Sequence, residues 1–152
     1  MKNIKYMELA YKEAQKAYIE DEVPIGCVIV KDDVVLAKAH NKKEKNNCAI
    51  SHAEIECIKK ATKKINNWNL NGADIYITLE PCIMCAGAII NSRISNIYYA
   101  TQDPKGGALG SNIDITTIKK LNHYPKVYSG LMKDECSNIL KKYFKEKRTA
   151  KK

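Results

Sequence analysis

Residues 74–88 read Asp74-Ile75-Tyr76-Ile77-Thr78-Leu79-Glu80-Pro81-Cys82-Ile83-Met84-Cys85-Ala86-Gly87-Ala88. Asp74 to Leu79 is apolar and β-branched, the composition of a strand. Pro81 follows at once. Proline has no backbone N–H to lose and suits the first turn of a helix, so a helix is expected from Pro81 to about Ser92. Cys82 and Cys85 stand three apart in that turn, which puts both thiols on one side of it. The unpaired N–H groups and dipole of a helix N-terminus favour thiolate, and thiolate is the form that holds zinc.

Upstream, Ser51-His52-Ala53-Glu54 opens a second helical pattern with an inner face of Ile55, Ile58, Ala61 and Ile65, broken at residues 66–72. Asn41 to Ser51 is polar and reads as a loop. Two apolar runs, Pro24 to Val30 and Val34 to Ala39, flank Lys31-Asp32-Asp33 and read as an antiparallel hairpin, although its turn lacks glycine. Met7, Ala10, Tyr11, Ala14, Ala17 and Tyr18 repeat at helical spacing and end near Glu20-Asp21. Downstream lie a strand at Asn96 to Ala100, a glycine-rich loop from Asp103 to Ser111, a short helix near Thr116 to Leu121 and a strand at Lys126 to Ser129. A last helix places Cys136, Ile139, Leu140 and Tyr143 on one face. An initial hairpin followed by alternating strands and helices predicts an α/β sheet layered between helices. There is no repeat or linker, so residues 1–152 are expected to form one domain.

Bulk properties narrow the function. Hydrophobic residues make up 45% of the 152, enough for a core, and charged residues 28%. No apolar run approaches the roughly 20 residues that span a bilayer, and residues 1–6 lack the apolar stretch of a signal peptide, so a cytoplasmic protein without membrane contact is expected. Its six cysteines are then expected to be reduced thiols. Cys27, Cys57 and Cys136 lie in apolar patterns and read as small buried hydrophobes. Cys48 has no assigned role. Net charge is +9, and seven of the last twelve residues are basic against one acid, Glu146. This stretch, 141–152, is either a handle for a polyanion or a solvated, frayed end.

The chemistry depends on a conjunction. His52 supplies an imidazole beside the two thiols. Three protein ligands leave a fourth tetrahedral position for water, as catalytic zinc requires. Two thiolates neutralise the ion and should acidify that water less than imidazoles would, so a nearby base is useful. Glu54, two residues from His52, can serve as general base and then general acid. Each part has an ordinary explanation: Ser51-x-x-Glu54 is also a capping box, and Cys-x-x-Cys is also a redox pair or half a structural zinc site. His40 and His123 read as ordinary polar residues. Yet His-x-Glu and Pro-Cys-x-x-Cys lie about thirty residues apart, each at a helix start. A redox pair has no use for the first, and a structural site would want a fourth ligand, which is not evident.

Together these motifs resemble the cytidine deaminase-like superfamily, whose signature is His-x-Glu…Pro-Cys-x-x-Cys. More narrowly, the chain resembles the bacterial tRNA-specific adenosine deaminases, over nearly its whole length. The resemblance is carried by Glu22-Val23-Pro24-Ile25-Gly26, Ala39-His40-Asn41, His52-Ala53-Glu54-Ile55, Leu79 to Ala88, Asp103-Pro104-Lys105-Gly106-Gly107 and Tyr143-Phe144…Lys147-Arg148. It implies a three-layer α/β/α fold with a five-stranded mixed sheet and a homodimer with the site near the interface. It implies one zinc ion per subunit held by His52, Cys82 and Cys85, with Glu54 moving the proton. By the same resemblance, Asn41 and the Ala53 backbone N–H contact the flipped base and its ribose, and Ile25 and Leu79 wall the pocket. Asp103 and Lys105 lie by the flanking nucleotides, and Phe144 and Arg148 reach the RNA. The implied reaction is adenosine to inosine at the wobble position of an arginine tRNA anticodon stem-loop. The chain departs from many relatives at Cys48-Ala49-Ile50-Ser51, where Asp-Pro-Thr-Ala is common, at Cys27, where alanine is usual, and in carrying more lysine than arginine at its end. Two rivals remain open: a deaminase of a free base or nucleotide (guanine, cytosine or cytidylate), and a non-catalytic zinc-stabilised RNA-binding module.

Overall fold

In the computed structural model, which describes residues 3–151, the chain runs α1 (Ile4–Ile19), β1 (Gly26–Lys31), β2 (Val34–His40), α2 (Ala53–Ile65), β3 (Asp74–Leu79), α3 (Ile83–Asn91), β4 (Asn96–Thr101), a 3₁₀ turn (Ile115–Thr117), β5 (Lys126–Ser129) and α4 (Lys133–Ala150). The five strands form one sheet in the order β2-β1-β3-β4-β5. β1 pairs antiparallel with β2 and β3, while β3, β4 and β5 run parallel. The sheet is therefore mixed, as expected.

Strand alternation sends successive side chains to opposite faces. Cys27, Ile29, Ile75, Ile77 and Ile97 pack with Ala53, Cys57 and Ala61 of α2 and Ala86, Ile89 and Ile90 of α3. Val28, Val30, Tyr76 and Tyr98 pack on the other face with Tyr6, Met7 and Ala10 of α1 and Cys136 of α4. Three layers result. Cys27, Cys57 and Cys136 are buried free thiols. On the α1 face Tyr76 stacks on Tyr98 (ring centroids 4.6 Å apart), and Tyr98 on Tyr128 (5.0 Å).

The hairpin closes without glycine because Asp32 and Asp33 both take left-handed conformations, φ 50° and 61°, as a two-residue hairpin turn with both central residues at positive φ requires. Gly26 lets α1 approach β1. A Cβ there would overlap the Ala10 carbonyl and lie 2.6 Å from the Ala14 nitrogen. Boundaries shift where local chemistry competes. α3 begins at Ile83, not Pro81, because Cys82 takes the extended capping conformation. The expected Thr116 to Leu121 helix contracts to a single 3₁₀ turn. The basic end is no frayed tail among the described residues; it forms the last turns of α4.

Candidate metal centre and substrate groove

α2 and α3 begin side by side, with His52 and Cys82 each the last residue before a helix and Cys85 in the first turn of α3. His52 Nδ1 lies 3.7 Å from Cys82 Sγ and 3.5 Å from Cys85 Sγ. All three donor atoms fall within 4.8 Å of one another. Tetrahedral zinc, with Zn–N and Zn–S bonds near 2.0–2.1 and 2.3 Å, spaces its nitrogen and sulfur ligands about 3.6 Å apart. The spacing and the soft donor set therefore fit zinc, and Nδ1, the imidazole atom that faces both sulfurs, would be its ligand.

The electrostatics agree. A hydrogen bond from the Cys85 thiol, reinforced by His52, holds the Cys82 thiol down at about 4. The same shared proton, with burial, pushes Cys85 up.

Glu54 is 4% exposed and sits among these groups. Burial, with the negative charge at Cys82 adding to it, pushes its carboxyl up to about 7. It is not part of a capping box. The residue before α2 is His52, and its side chain makes no capping bond. The Ser51 hydroxyl instead accepts from Asn46 Nδ2 at 3.3 Å.

Leu79, three residues before Cys82 in the chain, opens into a groove of about 1050 Å³. It unites six of the residues expected to meet substrate: Ile25 and Leu79 on its apolar floor, Asp103 and Lys105 from the loop after β4, and Phe144 and Arg148 from α4. Asn41 and Ala53 do not line it. Asn41 is buried behind its wall, with Nδ2 donating to the Val23 carbonyl at 3.4 Å and its backbone N–H donating to the Ile25 carbonyl at 3.1 Å. Ala53 is buried as the first residue of α2, where helix geometry leaves backbone N–H groups unused. Phe144 is 43% exposed, so it is no core residue.

Sequence reading gave no substrate role to Val23, Thr101, Gln102, Ser137 and Leu140, and took Lys141, Lys147 and Lys151 only as part of a basic end that could meet a polyanion. The signal for several was present. Ser137, Leu140, Lys141, Phe144, Arg148 and Lys151 follow the helical repeat of one face of α4. α4 is held against the α1 end by Lys147, 2.5 Å from Asp21, by the Tyr143 hydroxyl donating to the Asp21 carbonyl and by a Tyr18–Glu146 hydrogen bond. Glu22, also missed, is buried and accepts from the backbone N–H groups of Glu44 (2.9 Å) and Lys45 (2.7 Å), which fixes the loop after β2.

A family model described as MafB19-like deaminase matches residues 1–148. The tRNA-specific adenosine deaminase of Agrobacterium fabrum is 47% identical over 143 residues, 94% of either chain. The Bacillus subtilis protein of the same name is 43% identical over 147 residues, 97% of this chain and 91% of that one. The chain belongs to the tRNA-specific adenosine deaminases. A solved structure from work on A-to-I editing by tRNA:A34 deaminases at the wobble position superposes with a TM-score of 0.88 at 46% identity, covering 91% of this deaminase and all of that chain. In this deaminase the departing segment Cys48–Ser51 closes as a turn. The Ser51 N–H donates to the Cys48 carbonyl at 3.1 Å, and the Lys42 N–H donates to the Ser51 carbonyl at 2.9 Å. That closure carries His52 to the start of α2.

Proposed function

We propose that this enzyme converts adenosine to inosine at the wobble position of a tRNA anticodon, using zinc held by His52, Cys82 and Cys85. The observation that carries the reading is a three-donor group with buried Glu54, whose Cys82 follows by three residues the Leu79 that lines a groove walled by Phe144, Arg148, Lys105 and Lys141. Zinc, when bound, supplies Lewis acidity to a water in the position that three ligands leave open. Glu54 takes a proton from the attacking water and delivers it to adenine N1. It then takes the second proton and delivers it to the departing amine. A C6–O bond forms, the C6–N bond breaks, and ammonia leaves. A carboxyl poised near neutrality suits both directions of transfer. Ile25 and Leu79 hold the extruded base in apolar contact. The Ala53 N–H orients the base, Asn41 reaches the ribose once its amide leaves the Val23 carbonyl, and Asp103 and Lys105 hold the flanking nucleotides. Phe144 and Arg148 supply stacking and phosphate contact. An anticodon loop suits such a site because its bases can turn out without melting a duplex.

The proposed substrate is an arginine tRNA and the proposed location the cytoplasm. The enzyme acts as a homodimer. Support for pairing lies in α3, which carries no charged side chain, exposes Ile83 at 63% and has open space beside Gly87. The decisive experiment incubates the zinc-loaded enzyme with an anticodon stem-loop bearing adenosine at the wobble position, then analyses the nucleosides. Inosine is expected. Turnover of free guanine or cytosine with none of the stem-loop would overturn the reading.

A further inference from the structure

Glu80 follows groove-lining Leu79 in the chain, stands two residues before Cys82, and is 2% exposed. Its carboxylate faces the loop after β4. Oε1 accepts from the Asp103 N–H at 3.2 Å and from the Ser111 hydroxyl, while Oε2 accepts from the N–H groups of Leu109 (2.9 Å) and Ser111 (3.2 Å). Four donors from both ends of one loop thus converge on one buried side chain. The loop is shaped to receive it: a Cβ on Gly107 would lie 2.5 Å from Glu80 Oε2 and 2.6 Å from the Asp103 carbonyl oxygen. A second tie, the Ala108 N–H to the Pro81 carbonyl at 2.9 Å, joins the same loop to the residue before Cys82.

We infer that Glu80 is a positioning residue for RNA: it clamps the Asp103–Ser111 loop, holds Asp103 and Lys105 in the groove wall, and registers that wall against the metal helix. The inference rests on the RNA reading of the groove. A buried carboxylate with four donors is costly to disturb, because an altered acceptor leaves desolvated N–H groups unpaired. In a Glu80→Gln side chain the amide would present an N–H to donors, whichever way it turned. The cost falls on loop order, not on the donors His52, Cys82 and Cys85.

The test compares Glu80→Gln and Gly107→Ala with the unsubstituted enzyme, all zinc-loaded. Gly107→Ala reaches the clamp from the loop side, with the β3–α3 junction unaltered in sequence. Three quantities are measured: zinc per chain, hydrogen exchange of the Leu109 and Ser111 amides, and steady-state kinetics on the stem-loop. In both variants zinc stoichiometry is expected to hold, the loop amides to lose protection, and KM to rise about tenfold with kcat within about threefold. The double variant should be no worse than the more impaired single one, because both break one unit. Loss of zinc in either variant, or a fall in kcat at unchanged KM, overturns the inference. So does loss of loop protection with unaltered kinetics. No inosine from the unsubstituted enzyme removes the RNA reading and the inference with it, whereas normal parent turnover with KM unmoved in both variants removes the inference alone.

Discussion

Glu54 has two properties that a proton carrier needs and a helix cap does not: it is buried, and its carboxyl is raised to about 7. Glu54→Gln should keep one zinc per chain and lose inosine formation by about 10²- to 10⁴-fold, the usual contribution of a general acid–base. Metal analysis beside single-turnover kinetics checks this, and near-normal turnover would contradict the mechanism. A different carboxylate answers to pH. Burial raises Glu13, but hydrogen bonds from His40 (3.0 Å) and Lys16 outweigh it and leave it below its ordinary 4.5. Glu20, on the other ring nitrogen of His40, is lowered chiefly by that hydrogen bond. A lowered carboxylate stabilises the fold above the unfolded-state value and ceases to do so as pH falls through the folded value. Glu13→Gln should therefore cost stability at neutral pH and flatten the acid limb below about pH 4.5. Denaturant melts across that window measure it, and an unchanged acid limb would refute it.

At the scale of elements, packing decides more than propensity. Gly26→Ala should destabilise the fold by about 1–3 kcal/mol, because α1 has no room to retreat from the sheet. Urea melts would show the shift, and an unaltered midpoint would mean that α1 is not seated as described. Much of this layer was legible in advance. β5 keeps its expected bounds at Lys126–Ser129, where Val127 and Tyr128 supply the strand-favouring residues. That His52, Cys82 and Cys85 would come together was legible because metal chemistry restricts residue type and spacing together, and their donor atoms do lie within 4.8 Å of one another. Glu22 and Glu80 were not legible. An acid beside a proline segment reads as a loop, and their partners are backbone N–H groups more than twenty residues away, which carry no residue signature. The groove face of α4 was only half read, because charged and apolar positions share it and hydrophobic periodicity alone does not mark it.

For the whole molecule, RNA binding should be salt-sensitive in proportion to the cations that line the groove. Arg148→Ala should reduce the slope of log K against log salt by about 0.7 if it neutralises one phosphate of a single-stranded loop. Anisotropy titrations at several salt concentrations measure it, and an unchanged slope would remove Arg148 from the phosphate contacts. Pairing through α3 has its own check. Ile83→Lys should shift sedimentation toward the monomer, and a dimer that survives the charge would place the interface elsewhere. The donor geometry carries one more consequence. His52 and Cys82 are thirty residues apart, each just before the start of a separate helix. An ion bridging them closes a chain loop that an unfolded polypeptide must otherwise close unaided, so it acts as a removable cross-link. Ions that bind the native state raise its melting temperature in step with their free concentration. Titrating a chelator should accordingly lower the melting temperature in a graded way, making the thermal resistance of the chain a gauge of the zinc available to it.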